Sequence, residues 1–366
     1  MRKYDIAIVG SGVAGAATAY FLQSKQKVNS LCVIEKEKTP HSGASGKSAG
    51  IISQLVETEA TAQLAKKSVE FFNNPPKDFC SENFFRRVGG ILTTKLHNDN
   101  RLLSLSSLVK KSGIIYEEID RNEVLKAIPL LEGAPFTKAV FCKDDGIVDS
   151  NLLLSSFLKK IEVLTSKNVE KINTGTKKIK SIEAENEEIE AEIFVFAAGA
   201  SSEKIAKMAG LSHIVLEARR RHLLISEEIE NLKENMPYYW SLDPQLYFRS
   251  ESKGLLLSPC DITAVEPEKL QPTAKCQNWL KERLQIAAPK MANLRYQNFW
   301  AELRTFTFDN NFLIGFDPYL KNLFWVSALQ GYGITCSAGV GESASDMICG
   351  KKPDIDLSPH SPSRFK

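Results

Sequence analysis

Three glycines and one glutamate near the start of the chain have the types and spacing of a nucleotide-binding turn. Gly10, Gly12 and Gly15 form a Gly-x-Gly-x-x-Gly pattern, and Glu35 follows about 20 residues after the last of them. The first glycine permits a tight turn, the second lets backbone approach a pyrophosphate, and the third lets a helix pack on a strand. The glutamate can accept hydrogen bonds from the hydroxyls of an adenosine ribose. These residues predict a dinucleotide site.

Two buried strands and one helix must hold this turn in place. Residues 6–9 and 31–34 are short apolar runs, which are typical of strands buried on both faces. Between them, apolar residues recur at helical spacing: Val13, Ala16, Ala17, Tyr20 and Phe21. The start of that helix, at Val13 and Ala14, offers amide donors to phosphates. Strand, glycine turn, helix, strand and acidic residue therefore stand in the order of a βαβ unit.

Composition and charge bound the class of protein. The chain has 366 residues, of which 43% are hydrophobic, so it can fill the cores of two domains or of one large α/β unit. A formal net charge of +3 does not favour nucleic acid, so a small-molecule ligand is expected. The seven cysteines lack metal-binding spacing, which predicts a reducing compartment without disulfides or metal. We expect a cytoplasmic protein with no integral membrane segment, and peripheral membrane contact is left open.

Two further glycine turns follow apolar runs far along the chain. Residues 193–196 lead into Ala198 and Gly199, and residues 323–327 lead into Gly331 and Gly333. One extended cofactor could contact all three turns, and flavin enzymes commonly close their nucleotide domain with a C-terminal segment. This pattern favours FAD over NAD. A loop of small residues could surround the flavin, with these predicted contacts: Ser42, Ser45, Lys47, Ser48, Ala49 and Gly50.

The nucleotide-binding segments are interleaved with segments of another kind. Strand patterns at residues 89–94, 139–142, 223–225 and 245–248 alternate with helical patterns at 57–72 and 277–287, and Asp149 can cap another helix. We therefore expect an α/β fold, with a Rossmann-like βαβ domain that binds FAD and an interleaved, mixed-sheet α+β substrate domain. The predicted FAD domain comprises residues 1–80, 143–215 and 300–366. The substrate domain comprises residues 81–142 and 216–299.

These motifs together resemble the FAD-dependent D-amino-acid oxidase (DAO) superfamily over nearly the full chain. The resemblance rests on the first glycine motif with Glu35, residues 43–50, 197–199 and 331–333, and the segment 361–365. Within the superfamily, segments 71–80, 300–306 and 330–334 are most similar to bacterial D-arginine dehydrogenase, a glycine oxidase-like group. The resemblance implies the DAO fold and noncovalent FAD. It adds four cofactor contacts: Lys36 after the ribose ligand, Val169 at the adenine, and Ile334 and Thr335 at a helix start facing the flavin.

The resemblance also implies a set of substrate-binding residues. Arg304 stands where similar enzymes carry a carboxylate-binding arginine, and a planar guanidinium fork suits that task. Tyr247 matches their substrate-site tyrosine. Because side chains alternate along a strand, either Arg220 or Arg221, but not both, can face the pocket, and Arg221 is the predicted site residue. The predicted catalytic set is completed by Gly331 and Tyr332.

The implied reaction is hydride transfer from Cα of a neutral amine to flavin N5. The resulting imine is hydrolysed by water to a 2-oxo acid and ammonia, and positioning supplies most of the rate. In D-arginine dehydrogenase a glutamate reads the guanidinium, whereas this chain has Gly90; neighbouring His and Tyr positions are Ile51 and Val56. We therefore expect a small D-amino acid, secondary amine or imino acid in an apolar pocket. Its candidate lining is Ile51, Ile52, Val56 and Ile91.

Two further departures concern the type of enzyme. Sarcosine-type oxidases carry an oxygen-activating lysine where this chain has Leu256, which favours a dehydrogenase. Their flavin-linking cysteine has no counterpart at residues 305–308, and Cys336 is expected to serve packing. The alternatives are a 2-hydroxy-acid dehydrogenase of the same fold, a flavoprotein subunit that needs a partner, and an NAD-dependent dehydrogenase. The electron acceptor, a quinone or O2, is left open.

Overall fold

The structure is a computed structural model that describes residues 2–94, 99–136 and 138–365. Its strands are β1 (Arg2–Val9), β2 (Leu31–Ile34), β3 (Ile51–Ile52), β4 (Phe85–Arg86), β5 (Gly90–Thr93), β6 (Glu117–Asp120), β7 (Lys138–Cys142), β8 (Gly146–Val148), β9 (Glu162–Leu164), β10 (Val169–Thr174), β11 (Ile179–Ala184), β12 (Glu187–Phe196), β13 (Glu217–Ser226), β14 (Tyr238–Leu242), β15 (Gln245–Glu251), β16 (Gly254–Ser258), β17 (Thr263–Ala264), β18 (Tyr296–Phe306), β19 (Leu313–Phe316) and β20 (Leu323–Ser327). Its helices are α1 (Val13–Ser24), α2 (Glu59–Asn73), α3 (Asp99–Lys111), α4 (Arg121–Ala127), α5 (Ser150–Leu158), α6 (Ser202–Met208), α7 (Lys275–Ala287) and α8 (Ser337–Ile348).

The first sheet has a parallel centre that carries the N-terminal motif. Its order is β10-β11-β12-β1-β2-β9, and β20 pairs with the second half of β12. The strands β20, β12, β1, β2 and β9 run parallel to one another. The last four residues of β1 and all of β2 are buried, as expected for strands covered on both faces. The predicted βαβ unit is therefore confirmed.

The second sheet is built from two separated parts of the chain. Its order is β17-β13-β16-β15-β14-β5-β7-β6, and β18 pairs with the other edge of β13. One face packs against α4 and α7 in an apolar core that includes Ile91, Leu224 and Phe248. The opposite face is turned toward Ala49 and Ile51, which lie in the loop after β2 and in β3. The mixed α/β fold expected from the sequence is confirmed.

The element boundaries agree with the sequence in most places and differ in two. Asp149 caps α5 by accepting a hydrogen bond from the backbone N–H of Leu152 at 2.9 Å, as predicted. The last helix, predicted from residue 335, begins at Ser337 because residues 333–336 form turns. The domain boundary predicted at residue 300 falls inside β18, which pairs with β13 along its length, so residues 300–306 lie in the second sheet. Within the described ranges, no helix has the length and apolar character needed to cross a bilayer.

Candidate functional site

The three glycine turns meet at one end of the first sheet. The backbone N–H of Ala197 donates to the carbonyl of Val9 at 2.9 Å, which places the Ala198–Gly199 turn beside Gly10. A Cβ added at Gly333 would lie 3.1 Å from the side chain of Val13, so the C-terminal turn reaches the start of α1. The sequence separates these turns by well over 100 residues. The structure brings them together as predicted.

The glycines of the first turn are required by close backbone contacts. Gly10 has φ +105°, and a Cβ there would stand 2.6 Å from the carbonyl oxygen of Ala197. A Cβ at Gly15 would stand 1.9 Å from the carbonyl oxygen of Gly10, because α1 packs directly on the turn. The N-cap residue, Gly12, has no side chain, and the first turn of α1 contains no acidic residue. The positive end of this helix therefore faces a concave backbone surface suited to phosphate.

Glu35, the predicted ribose ligand, lies beside this turn. Its carboxylate is buried and accepts hydrogen bonds from Ser11 N at 2.9 Å, Ser11 Oγ at 2.5 Å and Glu37 N at 2.9 Å. These three bonds hold the carboxylate at the carboxyl end of β2. Lys36 beside it is exposed and lies 3.6 Å from Glu37. Val169 is buried at the start of β10.

The loop of small residues after β2 lies against both α1 and the second sheet. Ser45 Oγ accepts from the backbone N–H of Val13 at 3.0 Å, and Ser48 Oγ is 2.7 Å from Ser150 Oγ. The hydroxyl of Ser42 donates to the carbonyl of Thr39. Gly50 has φ +65° and accepts from Val148 N at 2.8 Å.

Three contacts tie this loop to the second sheet. Lys47 Nζ pairs with Glu302 Oε1 at 2.8 Å, so the ammonium group predicted as a cofactor contact is directed toward β18. The indole N–H of Trp300 donates to the carbonyl of Lys47 at 3.0 Å. Arg249 donates to the carbonyl of Ala49 at 2.5 Å. The loop therefore joins the nucleotide turn to the sheet that carries the predicted substrate residues.

The pairing of the strands places the predicted substrate-binding residues on one face of the second sheet. In the pairing of β13 with β18, Arg221 lies opposite Glu302 and Arg219 opposite Arg304, so these four side chains share a face. Tyr247 lies on the same face, since Nη2 of Arg304 is 3.4 Å from its Oη.

The residues on either side of Arg221, which are Arg220 and His222, point to the opposite face of the sheet. Arg220 donates to the carbonyl of Gln271 at 3.1 Å, and His222 packs against Trp279 of α7. Of the two arginines left open by the sequence, Arg221 is therefore the one that faces Arg304.

Arg221, which is buried, and Arg304, which is partly buried, create a positive site. Burial lowers the pKa of Arg304, and the nearby guanidinium of Arg221 lowers it further. Arg221 is buried, and its Nε and Nη1 find no hydrogen-bond partner among the described residues. An arginine does not lose its charge in a protein, so the site holds two cations with unused donors. Such an arrangement favours an anion with planar, bidentate acceptors.

Gly331 and Tyr332 lie beside these arginines. A Cβ added at Gly331 would stand 2.7 Å from Nη1 of Arg304. Burial raises the pKa of Tyr332 well above its usual range, with a further contribution from the Glu57 carboxylate, so its hydroxyl stays protonated. The structure thus brings together all five predicted catalytic residues: Arg221, Tyr247, Arg304, Gly331 and Tyr332.

The apolar side of the site differs from the predicted lining. Ile51 packs with Trp240 and Tyr332, and Val56 is buried in the same cluster. Ile91 is wrong as a lining residue, because it points into the core on the opposite face of the second sheet. Ile52 belongs to the core of the first sheet. Strand alternation could have excluded Ile91 only if the facing element had been known.

Trp240 and Tyr238 were missed in the sequence. A Cβ at Gly90 would stand 2.2 Å from the ring of Tyr238, so the tyrosine occupies the space above this glycine. The hydroxyl of Tyr238 donates to Asp145 Oδ2 at 2.6 Å, and Gln54 donates to Asp145 Oδ1. The strand pattern of residues 238–242 could have indicated that Tyr238 and Trp240 share a face. It could not show which face, because this strand pairs with β5, about 150 residues earlier in the chain.

The family model for the DAO family, described as FAD-dependent oxidoreductase, matches residues 5–347. The chain belongs to the DAO family of FAD-dependent oxidoreductases. FAD is therefore its cofactor, as the glycine turns predicted. The residues present fit FAD, because a helix start whose N-cap residue is a glycine and a buried carboxylate lie at the glycine cradle. The likeness to D-arginine dehydrogenase within this family stays a prediction.

Relatives and solved structures agree with this membership. The chain is 22% identical over 379 residues to 4-methylaminobutanoate oxidase (formaldehyde-forming) of Paenarthrobacter nicotinovorans, covering 98% of this chain and 45% of that protein. It therefore spans less than half the length of that relative. Mouse FAD-dependent oxidoreductase domain-containing protein 1 is 23% identical, with 100% and 85% covered.

Among solved structures, L-proline dehydrogenase from P. horikoshii has a TM-score of 0.90 at 22% identity and covers 100% of this chain and 98% of its own. Glycine oxidase from Geobacillus kaustophilus has a TM-score of 0.86 at 20% identity, with 100% of both chains covered. At these identities, the likeness shows the fold.

Proposed function

We propose that this DAO-family protein oxidises the Cα–N bond of a small D-amino acid, secondary amine or imino acid. The observation that carries the proposal is the pair of buried Arg221 and partly buried Arg304 with Tyr247, on the face of the second sheet that turns toward the nucleotide turns. Relatives whose names specify a substrate include enzymes for a methylamino acid, proline and glycine. All of these substrates carry a carboxylate and an amine.

The substrate carboxylate binds between the two guanidinium groups. The unused donors of Arg221 and the fork of Arg304 offer several N–H groups to two carboxylate oxygens. The hydroxyl of Tyr247, next to Arg304, donates to the same group. One carboxylate neutralises part of the buried positive charge, so binding also relieves the repulsion between the arginines. This contact fixes the orientation of Cα.

The same charges act on the substrate amine. Two nearby cations disfavour an ammonium ion, so they lower the pKa of the bound amine and favour its neutral form. Only the neutral amine has the lone pair that forms the C=N bond as the Cα–H bond breaks and its electron pair leaves as hydride. FAD, when bound, supplies the acceptor for that hydride. Water then hydrolyses the imine to a 2-oxo acid, which releases ammonia when the substrate is a primary amine and the substituted amine when it is a secondary amine.

We propose that FAD is held noncovalently by the predicted cofactor contacts around the three glycine turns. The contacts proposed are Gly10, Gly12, Val13, Ala14, Gly15, Glu35, Lys36, Ser42, Ser45, Ser48, Ala49, Gly50, Val169, Ala198, Gly199, Gly331, Gly333, Ile334 and Thr335. The predicted contact Lys47 is left out of this set, because its ammonium group pairs with Glu302. The side chain of Thr335 is held by two hydrogen bonds, since its Oγ1 accepts from Ser53 N and donates to the carbonyl of Ile51, each at 3.3 Å. Cys336 is buried, with its Sγ 3.7 Å from the carbonyl of Thr61, which supports a packing role.

We also propose a dehydrogenase rather than an oxidase. Leu256 stands where sarcosine-type oxidases carry their oxygen-activating lysine. It is buried in an apolar cluster with Leu223 and Tyr247. A lysine ammonium is thus replaced by a side chain that cannot interact electrostatically with oxygen. The expected electron acceptor is a quinone or another carrier.

An anaerobic titration of the purified holoprotein tests the proposed function. Flavin absorbance is followed as D- and L-amino acids, N-methyl amino acids and 2-hydroxy acids are added. We expect bleaching by a small amino or imino acid and none by 2-hydroxy acids. Bleaching by 2-hydroxy acids alone would replace the proposal with a hydroxy-acid dehydrogenase. A flavin that no substrate bleaches would indicate a subunit that needs a partner.

A further inference from the structure

Trp240 occupies a central position on the substrate face of the second sheet. It lies directly opposite Tyr247 in the pairing of β14 with β15, and directly opposite Leu92 in the pairing with β5. Its ring centroid is 5.5 Å from that of Tyr247, at an interplanar angle of 63°. Tyr247 on β15 contacts Arg304, and Trp240 lies on β14, the next strand of the sheet. The indole is therefore one strand farther from the arginines than Tyr247 is. A substrate side chain that extended from Cα along this face would meet Trp240.

Trp240 is more accessible than its neighbours on the same face. Its neighbours on the same face, Tyr238, Tyr247 and Leu92, are each at most 2% exposed, whereas Trp240 is only partly buried. Ile51 and Tyr332, which pack near it from the first sheet's side, are also partly buried. Because Trp240 and these two residues face each other and are all partly exposed, the space between them is accessible.

The indole cannot easily move out of this space. Tyr238, two residues earlier on the same face, fills the volume above Gly90 and is anchored by its 2.6 Å hydrogen bond to buried Asp145. Trp240 also packs into both apolar clusters that flank the site, one containing Leu92 and the other Tyr247. Rotation of the ring would therefore leave voids in two packed clusters, and such voids are costly.

We propose that Trp240 sets the upper size limit for the substrate, restricting it to amino acids of about the size of glycine, alanine, sarcosine or proline. This inference rests on the proposed function, because the carboxylate must bind at Arg221 and Arg304 for the side chain to meet the indole. Trp240 acts as a steric wall and takes no part in the chemical step.

Two variants and a matched control test this role. Trp240→Val removes most of the wall, and Trp240→Phe removes a smaller part. Trp279→Val is the control, because Trp279 lies on α7 against the opposite face of the same sheet. Binding of acetate and benzoate to each holoprotein is measured by calorimetry, which does not depend on turnover. Turnover is then compared for alanine and phenylalanine, using the enantiomer that bleaches the flavin.

We expect Trp240→Val to raise the benzoate-to-acetate affinity ratio at least tenfold, since space for several methylene-sized groups is opened. Trp240→Phe should have a smaller effect and Trp279→Val none. The kcat/KM ratio of phenylalanine to alanine should rise in parallel. An unchanged ratio in Trp240→Val, or an equal rise in Trp279→Val, would overturn the role of Trp240 while leaving the carboxylate site intact. Failure of every variant and the wild type to bind either carboxylate would refute the carboxylate site itself, and the inference with it.

Discussion

Arg220 and Arg221 are adjacent in sequence and lie on opposite faces of β13. Only Arg221 lies on the face that carries Arg304. Arg220 contacts the carbonyl of Gln271 and lies 3.9 Å from Asp261. Because successive side chains of a strand point to opposite faces, the two arginines have different surroundings. The sequence predicted that only one of them faces the pocket and named Arg221. Strand alternation alone does not decide between the two, because the decision depends on the register with β18.

This difference predicts opposite outcomes for two otherwise matched variants. Arg221→Ala should lower kcat/KM by about 100-fold or more, corresponding to about 3 kcal/mol for a buried charged contact. Arg220→Ala, which leaves the pocket unchanged, should stay within about threefold of wild type. Steady-state kinetics with the substrate identified by flavin bleaching measure both. Equal losses in the two variants would place Arg221 outside the substrate site.

Asp145 predicts a pH dependence of stability. Burial raises its pKa from an ordinary 3.8 to about 7, although hydrogen bonds from Tyr238 and Gln54 act in the opposite direction. Between about pH 4 and pH 7 the unfolded chain loses this proton and the folded chain keeps it. The free energy of unfolding therefore falls as pH rises through this window, by up to about 1.4 kcal/mol per unit, and levels off above it.

Asp145→Asn should remove that pH-dependent loss. Urea denaturation between pH 4.5 and pH 8 should show wild-type stability falling relative to the variant. Asp144→Asn is the control, since Asp144 is paired with Arg87 near the surface. Its stability should follow wild type across the range. A constant difference between wild type and Asp145→Asn would show that Asp145 ionises normally in the folded protein.

At the scale of elements, the turn between β1 and α1 decides whether the cofactor can bind. Gly10→Ala should destabilise the protein by about 2 kcal/mol and lower FAD retention, because the new Cβ meets the carbonyl of Ala197 in a backbone region that disfavours side chains. Gly175→Ala is the matched control, as Gly175 lies between β10 and β11, away from the glycine turns, and its added Cβ would meet chiefly the flexible side chain of Lys180 at 3.1 Å. Its stability should change by less than about 0.5 kcal/mol. Thermal unfolding and the flavin-to-protein absorbance ratio measure both, and full flavin occupancy in Gly10→Ala would contradict the assignment.

The elements also show where sequence reasoning succeeds. The βαβ unit was predictable because residues 4–35 contain its strand, turn, helix and second strand as local signals. The second sheet was less predictable, because β5 pairs with β14 and β13 with β18 across long separations. Trp240 and Tyr238 therefore escaped notice, and Ile91 was assigned to the wrong face. Tyrosine and tryptophan in a strand pattern carry no local sign of which face they occupy.

At the scale of the whole molecule, residues 43–50 connect the two sheets. Trp300→Phe removes the indole hydrogen bond to the carbonyl of Lys47, so it should weaken FAD binding by about fivefold, or roughly 1 kcal/mol. Lys47→Met removes only the partly exposed ion pair with Glu302 and should change FAD affinity less than twofold. Fluorescence titration of the apoproteins with FAD gives both values. A larger effect in Lys47→Met would mean that the lysine contacts the cofactor directly, as the sequence predicted.

The central claim is that Arg304 holds the substrate carboxylate while the α-hydrogen leaves. Anaerobic stopped-flow measurement of flavin reduction, in wild type and Arg304→Ala with the substrate that bleaches the flavin, tests it directly. We predict that the second-order rate constant for reduction falls at least 100-fold in the variant, with flavin occupancy unchanged. A constant within twofold of wild type would contradict the claim and require another residue to bind the carboxylate.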